Sequence, residues 1–199
     1  MFLRTVFPLK IFLIIIICII LIIGLAQILK KNHDNNTNNK NVEDYVKEHY
    51  LKVELLEYLK GEVTQENKIA YTIDEINRNL GQKQKEVPEE EVKNKYNEIF
   101  NESLEINEPV FILTNGYEYK QSRKTFLNNN DIKSNIPEDE ESKRNLEIVG
   151  SKYNKKTDEY IVTIEERMIT EQKQTTINIS NIVLKSNNGG YIITNYYNE

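Results

Sequence analysis

Side chains able to do acid–base or nucleophilic chemistry are scarce in this chain and scattered along it. Of its two histidines, His33 lies among asparagines, and His49 sits beside Tyr50, between the apolar positions Tyr45 and Val53. Helical spacing could turn His49 inward as a general base. No acidic residue shares a buried face with it, so the spacing predicts a partly exposed structural histidine, with Glu48 and Glu54 on the solvated side. Three carboxylates, Glu89–Glu91, follow Pro88. They suit the positive end of a helix, whereas a hard-cation site needs oxygens converging from several positions. The only cysteine, Cys18, lies in an apolar stretch, which leaves the remainder without disulfides or thiolate ligands. There is no Gly-rich phosphate loop, HExxH, Gly-x-Ser-x-Gly or calcium-loop pattern. No residue is therefore assigned a catalytic, cofactor-binding or metal-binding role. Tyrosine is plentiful, notably Tyr117, Tyr119, Tyr191, Tyr196 and Tyr197. Two readings of these stand: they line a pocket or interface, or they serve as the strand aromatics of a chain that lacks Trp.

What must position these residues begins with an anchor. After a short basic tail (residues 1–10, with Arg4 and Lys10), residues 11–29 read IFLIIIICIILIIGLAQIL and carry no charge. As a helix this run spans about 28 Å, close to the roughly 30 Å of a bilayer's hydrocarbon core, so it predicts a single transmembrane helix. It contains no ionisable group other than Cys18, which argues for a tether and against an ion or proton path. Gly24-Leu25-Ala26 also resembles a signal-peptide cleavage site, yet the apolar run continues through Ile28 and Leu29, as a full span requires. Lys30, Lys31, Lys40 and Lys47 leave the positive-inside count undecided. The basic tail followed at once by an apolar stretch reads as a signal-anchor that sends the rest of the chain out of the cytoplasm.

Beyond residue 31 the chain holds 22 Lys+Arg against 31 Asp+Glu, a net charge of −9. Such a balance excludes nucleic acid as a partner and disfavours lying on anionic lipid. The Ile- and Asn-rich, Trp-free composition fits AT-rich coding and a bacterial source. Residues 30–41, including the wholly polar stretch NHDNNTNNKN, read as an Asn-rich flexible linker, about 17 Å as a coil over ten residues, that holds the domain at residues 42–199 close to the bilayer.

Within that domain the apolar spacing predicts a helix over Val42–Lys60 stopped by Gly61. A second is opened by the capping box Thr72–Glu75 and ended by Gly81, and a third begins at Pro88 with Val92, Tyr96, Ile99 and Phe100 on one face. After Asn107 the pattern alternates. Val110–Leu113 leads into Asn115-Gly116, a hairpin signal, and Tyr117 and Tyr119 share a face. Residues 128–142 read as a polar acidic loop. Strands follow around Leu146 and Ile148, then Tyr160, Val162 and Ile164, then Ile177 to Leu184, whose phase slip implies a bulge near Ser180–Asn181. Asn187–Gly190 turns into a last strand over Tyr191–Tyr197. The fold class expected is α+β, about three helices packed on a curved antiparallel sheet.

Three helices, then a bent antiparallel sheet closing on Gly-Gly-Tyr191-Ile192-Ile193, resembles the nuclear transport factor 2-like superfamily over residues 42–197. The resemblance implies helices in the concave face of one sheet and a pocket able to take a small ligand. The anchor plus such a domain is also similar in architecture to VirB-type assembly subunits of bacterial conjugation and secretion machines. The function expected is a single-pass, membrane-anchored extracytoplasmic binding domain without catalytic activity, partnered by the membrane through residues 11–29 and by another envelope protein. A structural subunit of an envelope assembly and a small nuclear transport factor 2-like enzyme are the alternatives.

Overall fold

A computed structural model describes the backbone of residues 9–128, 144–169 and 174–199, and their side chains apart from 9–19, 28, 29 and 31–37. The chain divides into two compact units, Met1–Lys40 and Asn41–Glu199. Helix α1 (Leu9–His49) includes the whole of residues 11–29 as helical backbone. Among the described residues no helix is long and apolar enough to cross a membrane. Residues 11–19, 28 and 29, which supply much of the apolar run, fall outside the described side chains, as does His33.

Residues 30–41 are helical, not the coil their composition suggests. Asn costs only a few tenths of a kcal/mol per helical position, and with no Gly or Pro to interrupt it, a helix already nucleated continues through such a stretch. The expected helix over Val42–Lys60 is broken instead. Lys52 is extended and serves as N-cap of α2 (Val53–Leu59), and just before the break the Tyr50 hydroxyl donates to the Tyr191 carbonyl at 2.6 Å. Leu55, Leu56 and Leu59 resume the buried stripe after the break, which is why the periodicity reads through it.

Helix α3 (Gln65–Asn79) starts seven residues ahead of the expected capping box. Its N-cap is Thr64, whose hydroxyl accepts the Asn67 N–H at 3.2 Å. Thr72 lies mid-helix and donates back to the Lys68 carbonyl at 2.8 Å. Helix α4 (Glu89–Phe100) begins after Pro88, buries Val92, Tyr96 and Phe100, and ends on Asn101 in the left-handed region.

The β structure forms two sheets, not one curved sheet. Sheet A has the order β1-β4-β3-β2, with β1 (Glu86–Pro88), β2 (Val110–Ile112), β3 (Tyr117–Lys120) and β4 (Thr125–Asn128). Sheet B is an antiparallel meander β5-β6-β7-β8, with β5 (Arg144–Asn154), β6 (Glu159–Ile169), β7 (Gln174–Asn187) and β8 (Gly190–Asn198). Residues 129–143, nearly all of the expected acidic loop, lie outside the described residues. The register along β7 is unbroken at Ser180–Asn181; the shifts fall at Glu166/Arg167 on one side and Val183/Leu184 on the other. Ile179 and Ile182 differ in phase because they face opposite sides of a strand that is apolar on both.

One core joins these elements. Val46, Tyr50, Ile69, Ile73 and Phe100 of the helical region pack with Val162, Ile164, Ile182, Leu184 and Ile193 of sheet B, and with Tyr117, Tyr119 and Phe126 of sheet A. The β7–β8 turn is locked in place: Asn101 Nδ2 donates to the Asn187 carbonyl at 2.5 Å, and Asn187 Nδ2 returns the bond to the Asn101 carbonyl at 2.7 Å. A Cβ on Gly190 would lie 2.8 Å from both Asn101 Nδ2 and the Tyr45 hydroxyl, so a larger residue there would displace these side chains.

Candidate functional site

His49 closes α1 half-buried, its ring 4.3 Å from that of Tyr45 and its Nε2 3.9 Å from the Glu48 carboxylate. It is one member of an aromatic run, Tyr45, Tyr50, Tyr191 and Tyr160, that seams the end of α1 to sheet B. Glu48 is exposed, while Glu54 turns partly inward to pair with Arg78 at 3.7 Å. Of the three carboxylates in the first turn of α4, Glu89 accepts from the Tyr119 hydroxyl at 2.5 Å and pairs with Lys93 at 2.5 Å. Lys93 and then Tyr119 hold its carboxyl below the usual range, and burial followed by the Glu89 carboxylate pushes the Tyr119 phenol up to about 12. Glu90 and Glu91 instead line an open groove of about 600 Å³ with Ile76, Leu80 and Glu98. Among the described residues no cluster of three or more His, Cys, Asp or Glu could hold a metal ion.

The tyrosines separate into two kinds. Tyr117, Tyr119 and Tyr196 are buried. Tyr117 donates to the Gln84 carbonyl at 2.6 Å and accepts from Asn77 Nδ2 at 3.0 Å, so its hydroxyl is spent on holding sheet A to α3. Tyr191 is half-buried in the aromatic seam. Tyr197 alone of the five is substantially exposed, at 41%.

Two polar clusters carry no plain sequence signal. Lys68, 5% exposed, sends its ammonium to the Glu102 carboxylate at 2.6 Å and the Ile193 carbonyl at 3.1 Å, and so ties α3 to the segment after α4 and to β8. Asp74 accepts from the Tyr58 hydroxyl and from Asn115 Nδ2, the latter at 3.0 Å, and Asn115 also donates to the Ala70 carbonyl at 2.9 Å. The asparagine of the Asn-Gly turn thus anchors sheet A to α3 as well as making the turn. A lysine or aspartate on a mostly apolar helix face was the available hint, but its partners come from sequence-distant elements.

Among the described residues, no element packs on the face of sheet B turned away from the core. Alternation along β6, β7 and β8 puts Ile161, Thr163 and Glu165 there with Ile179, Asn181 and Val183 and with Ile192, Asn195 and Tyr197. Val183 is 6% exposed yet is no part of the main core; its cover comes from its own neighbours on this face. Around it Ile161 and Ile192 are half-buried and Ile179 and Tyr197 exposed. Three register shifts bend the sheet and let these side chains shade one another. Thr163, which donates to Asn181 at 2.7 Å, interrupts the strip between Val183 and Ile179; at its borders Arg167 bridges Glu147 at 2.7 Å and also contacts Glu165, and Lys185 reaches Glu159 at 3.6 Å. Comparison with protein-family models, curated proteins and solved structures gives no match.

Proposed function

We propose that this chain is a single-pass membrane-anchored interaction protein whose α+β domain stands outside the cytoplasm and works by binding, not catalysis. The observation that carries the reading is the outer face of sheet B, an apolar strip centred on Val183 and bordered by satisfied ion pairs. The uncharged run at residues 11–29, helical in backbone, supports the anchor. A tethered domain meets partners in its own membrane at high effective concentration, so the occupant of the strip is another membrane protein. The interior between the helices and sheet B is filled by Tyr50, Tyr71, Phe100, Ile164 and Leu184, which favours surface recognition over a buried catalytic pocket.

A role as a structural subunit of an envelope assembly is the second reading, favoured by the exposed Ile177, Ile179 and Tyr197 on long strands. Helices against one face of a bent meander that closes on Gly190-Tyr191 also support a nuclear transport factor 2-like relationship, from which sheet A is a departure. Carbonate extraction of membranes and protease access in intact cells test the anchor and its orientation. The full-length chain stays in the extracted membranes, and the domain is cut from outside. Release by carbonate or protection from protease would refute the reading.

A further inference from the structure

Among the described residues, sheet A leaves its β2 edge unpaired beside acidic side chains. The Gln121 N–H bonds the Pro109 carbonyl at 3.0 Å and the Leu113 N–H bonds the Tyr117 carbonyl at 2.7 Å, so positions 109, 111 and 113 turn their backbone groups toward β3. By alternation, the N–H and C=O groups of Val110 and Ile112 point away from the sheet. Among the described residues no strand pairs with β2 on that side. The side chains of these two residues are 54% and 72% exposed.

Beside this edge Phe111 forms one wall of a pocket of about 180 Å³, with Ile69 and Ile106 as further apolar walls and Glu66, Glu105 and Glu108 around them. No lysine or arginine lines it. None of the three glutamates joins an ion pair among the described residues, whereas the groove along α4 contains Lys95, paired with Glu98 at 2.7 Å. Apolar walls below unpaired carboxylates match the long aliphatic stem and charged head of a lysine or arginine.

We propose that the β2 edge and this pocket together bind an extended basic peptide segment of a partner protein. The segment adds as a further strand beside Val110–Ile112, taking up the backbone groups of those two residues. Side-chain alternation then sets its sequence requirement. The residue opposite Phe111 shares its face and puts a lysine or arginine into the pocket, while the residues on either side lie next to Val110 and Ile112 and are apolar. This rests on the domain being a binding module, and gives it a second surface with its own recognition chemistry.

The test is a fluorescence-anisotropy titration of full-length protein in detergent micelles with a labelled seven-residue peptide of alternating valine and lysine, beside a peptide of the same composition with its lysines contiguous. The alternating peptide binds saturably and about fivefold more tightly, since only it can pair and fill the pocket together. Glu108→Lys weakens binding about tenfold. Ile112→Pro removes an outward N–H that no bond to β3 uses, and also weakens it about tenfold, with circular dichroism unchanged. Glu98→Lys, the same charge change on α4, leaves it unaltered. Absence of saturable binding, equal affinity for the two peptides, or equal weakening by Glu98→Lys and Glu108→Lys would overturn the proposal. Carbonate extraction and contacts through sheet B are read independently, so failure here is distinct from failure of the anchored-binder reading.

Discussion

Sheet A is made of strands three or four residues long, each fastened to its surroundings by side chains, whereas the strands of sheet B run 9 to 14 residues and carry apolar groups on both faces. Strands as short as those of sheet A cannot hold together by their ladders alone. The Tyr117 and Tyr119 hydroxyls, Asn115 and Thr125 supply the missing bonds to α3, α4 and β1, and the rings of Phe111, Tyr119 and Phe126 fill the space beneath. Sheet B is held by its own register and by the core, and needs fewer such fastenings. The first sheet therefore spends its side chains inward and leaves only an edge, while the second can offer a face.

That contrast makes the inner side of sheet A the place where substitutions cost most. Phe126→Ala removes a fully buried ring of the aromatic trio and is expected to cost about 3–5 kcal/mol in urea unfolding. Lys68→Ala, which removes the bonds to the half-buried Glu102 carboxylate and to the Ile193 carbonyl while Glu102 keeps the Tyr96 hydroxyl, should cost less, about 1.5–3 kcal/mol. If Lys68→Ala were silent, sheet B would not depend on that link to α3.

Smaller effects separate the fastenings from the ladders. Asn115→Ala loses the bonds to Asp74 and the Ala70 carbonyl and should cost about 1–2 kcal/mol, with hydrogen exchange quickening in sheet A before sheet B. The Glu89–Tyr119 pair gives sheet A its own pH dependence. Glu89 is held below its usual value, so its contribution is present above about pH 4.5 and is lost as pH falls through the lowered value. Tyr119 is raised, so its contribution is whole below the ordinary phenol value near 10 and is lost as pH climbs toward about 12. Glu89→Gln should flatten the acid limb without altering the ladders of sheet B. Least of all, Tyr197→Ser on the open face should cost about 0.5–1 kcal/mol, since that ring is 41% exposed and packs only on neighbours of the same face.

The same contrast explains what could be read from the sequence. The four strands of sheet B announce themselves by length and alternation, and α4 by Pro88, three glutamates and a clean apolar stripe. β1 and β4 of sheet A are too short to alternate visibly. The start of α3 leaves no periodic trace because its first turn, residues 65–67, is polar and mostly exposed and residues 68–73 are then buried all round, so Thr72 passes for a cap while Thr64 does the capping. The phase change along β7 places a bulge near Ser180–Asn181, whereas the register there is unbroken and the extra residue falls at Ile177; apolar residues on both faces of the strand mimic the slip. Lys68–Glu102 and Asp74–Asn115 pair residues 34 and 41 apart in sequence, separations that helical and strand periods do not encode.

The central claim, that the outer face of sheet B is a contact surface for another membrane protein, is met most directly by site-specific photocrosslinking of the full-length protein in cells. A photoreactive residue at Tyr197 is compared with one at Lys60, exposed at the end of α2. The account predicts one defined adduct with a membrane protein from position 197, lost on adding Ile179→Lys, and none of that species from position 60. No adduct at 197, or the same adducts from both positions, would contradict it.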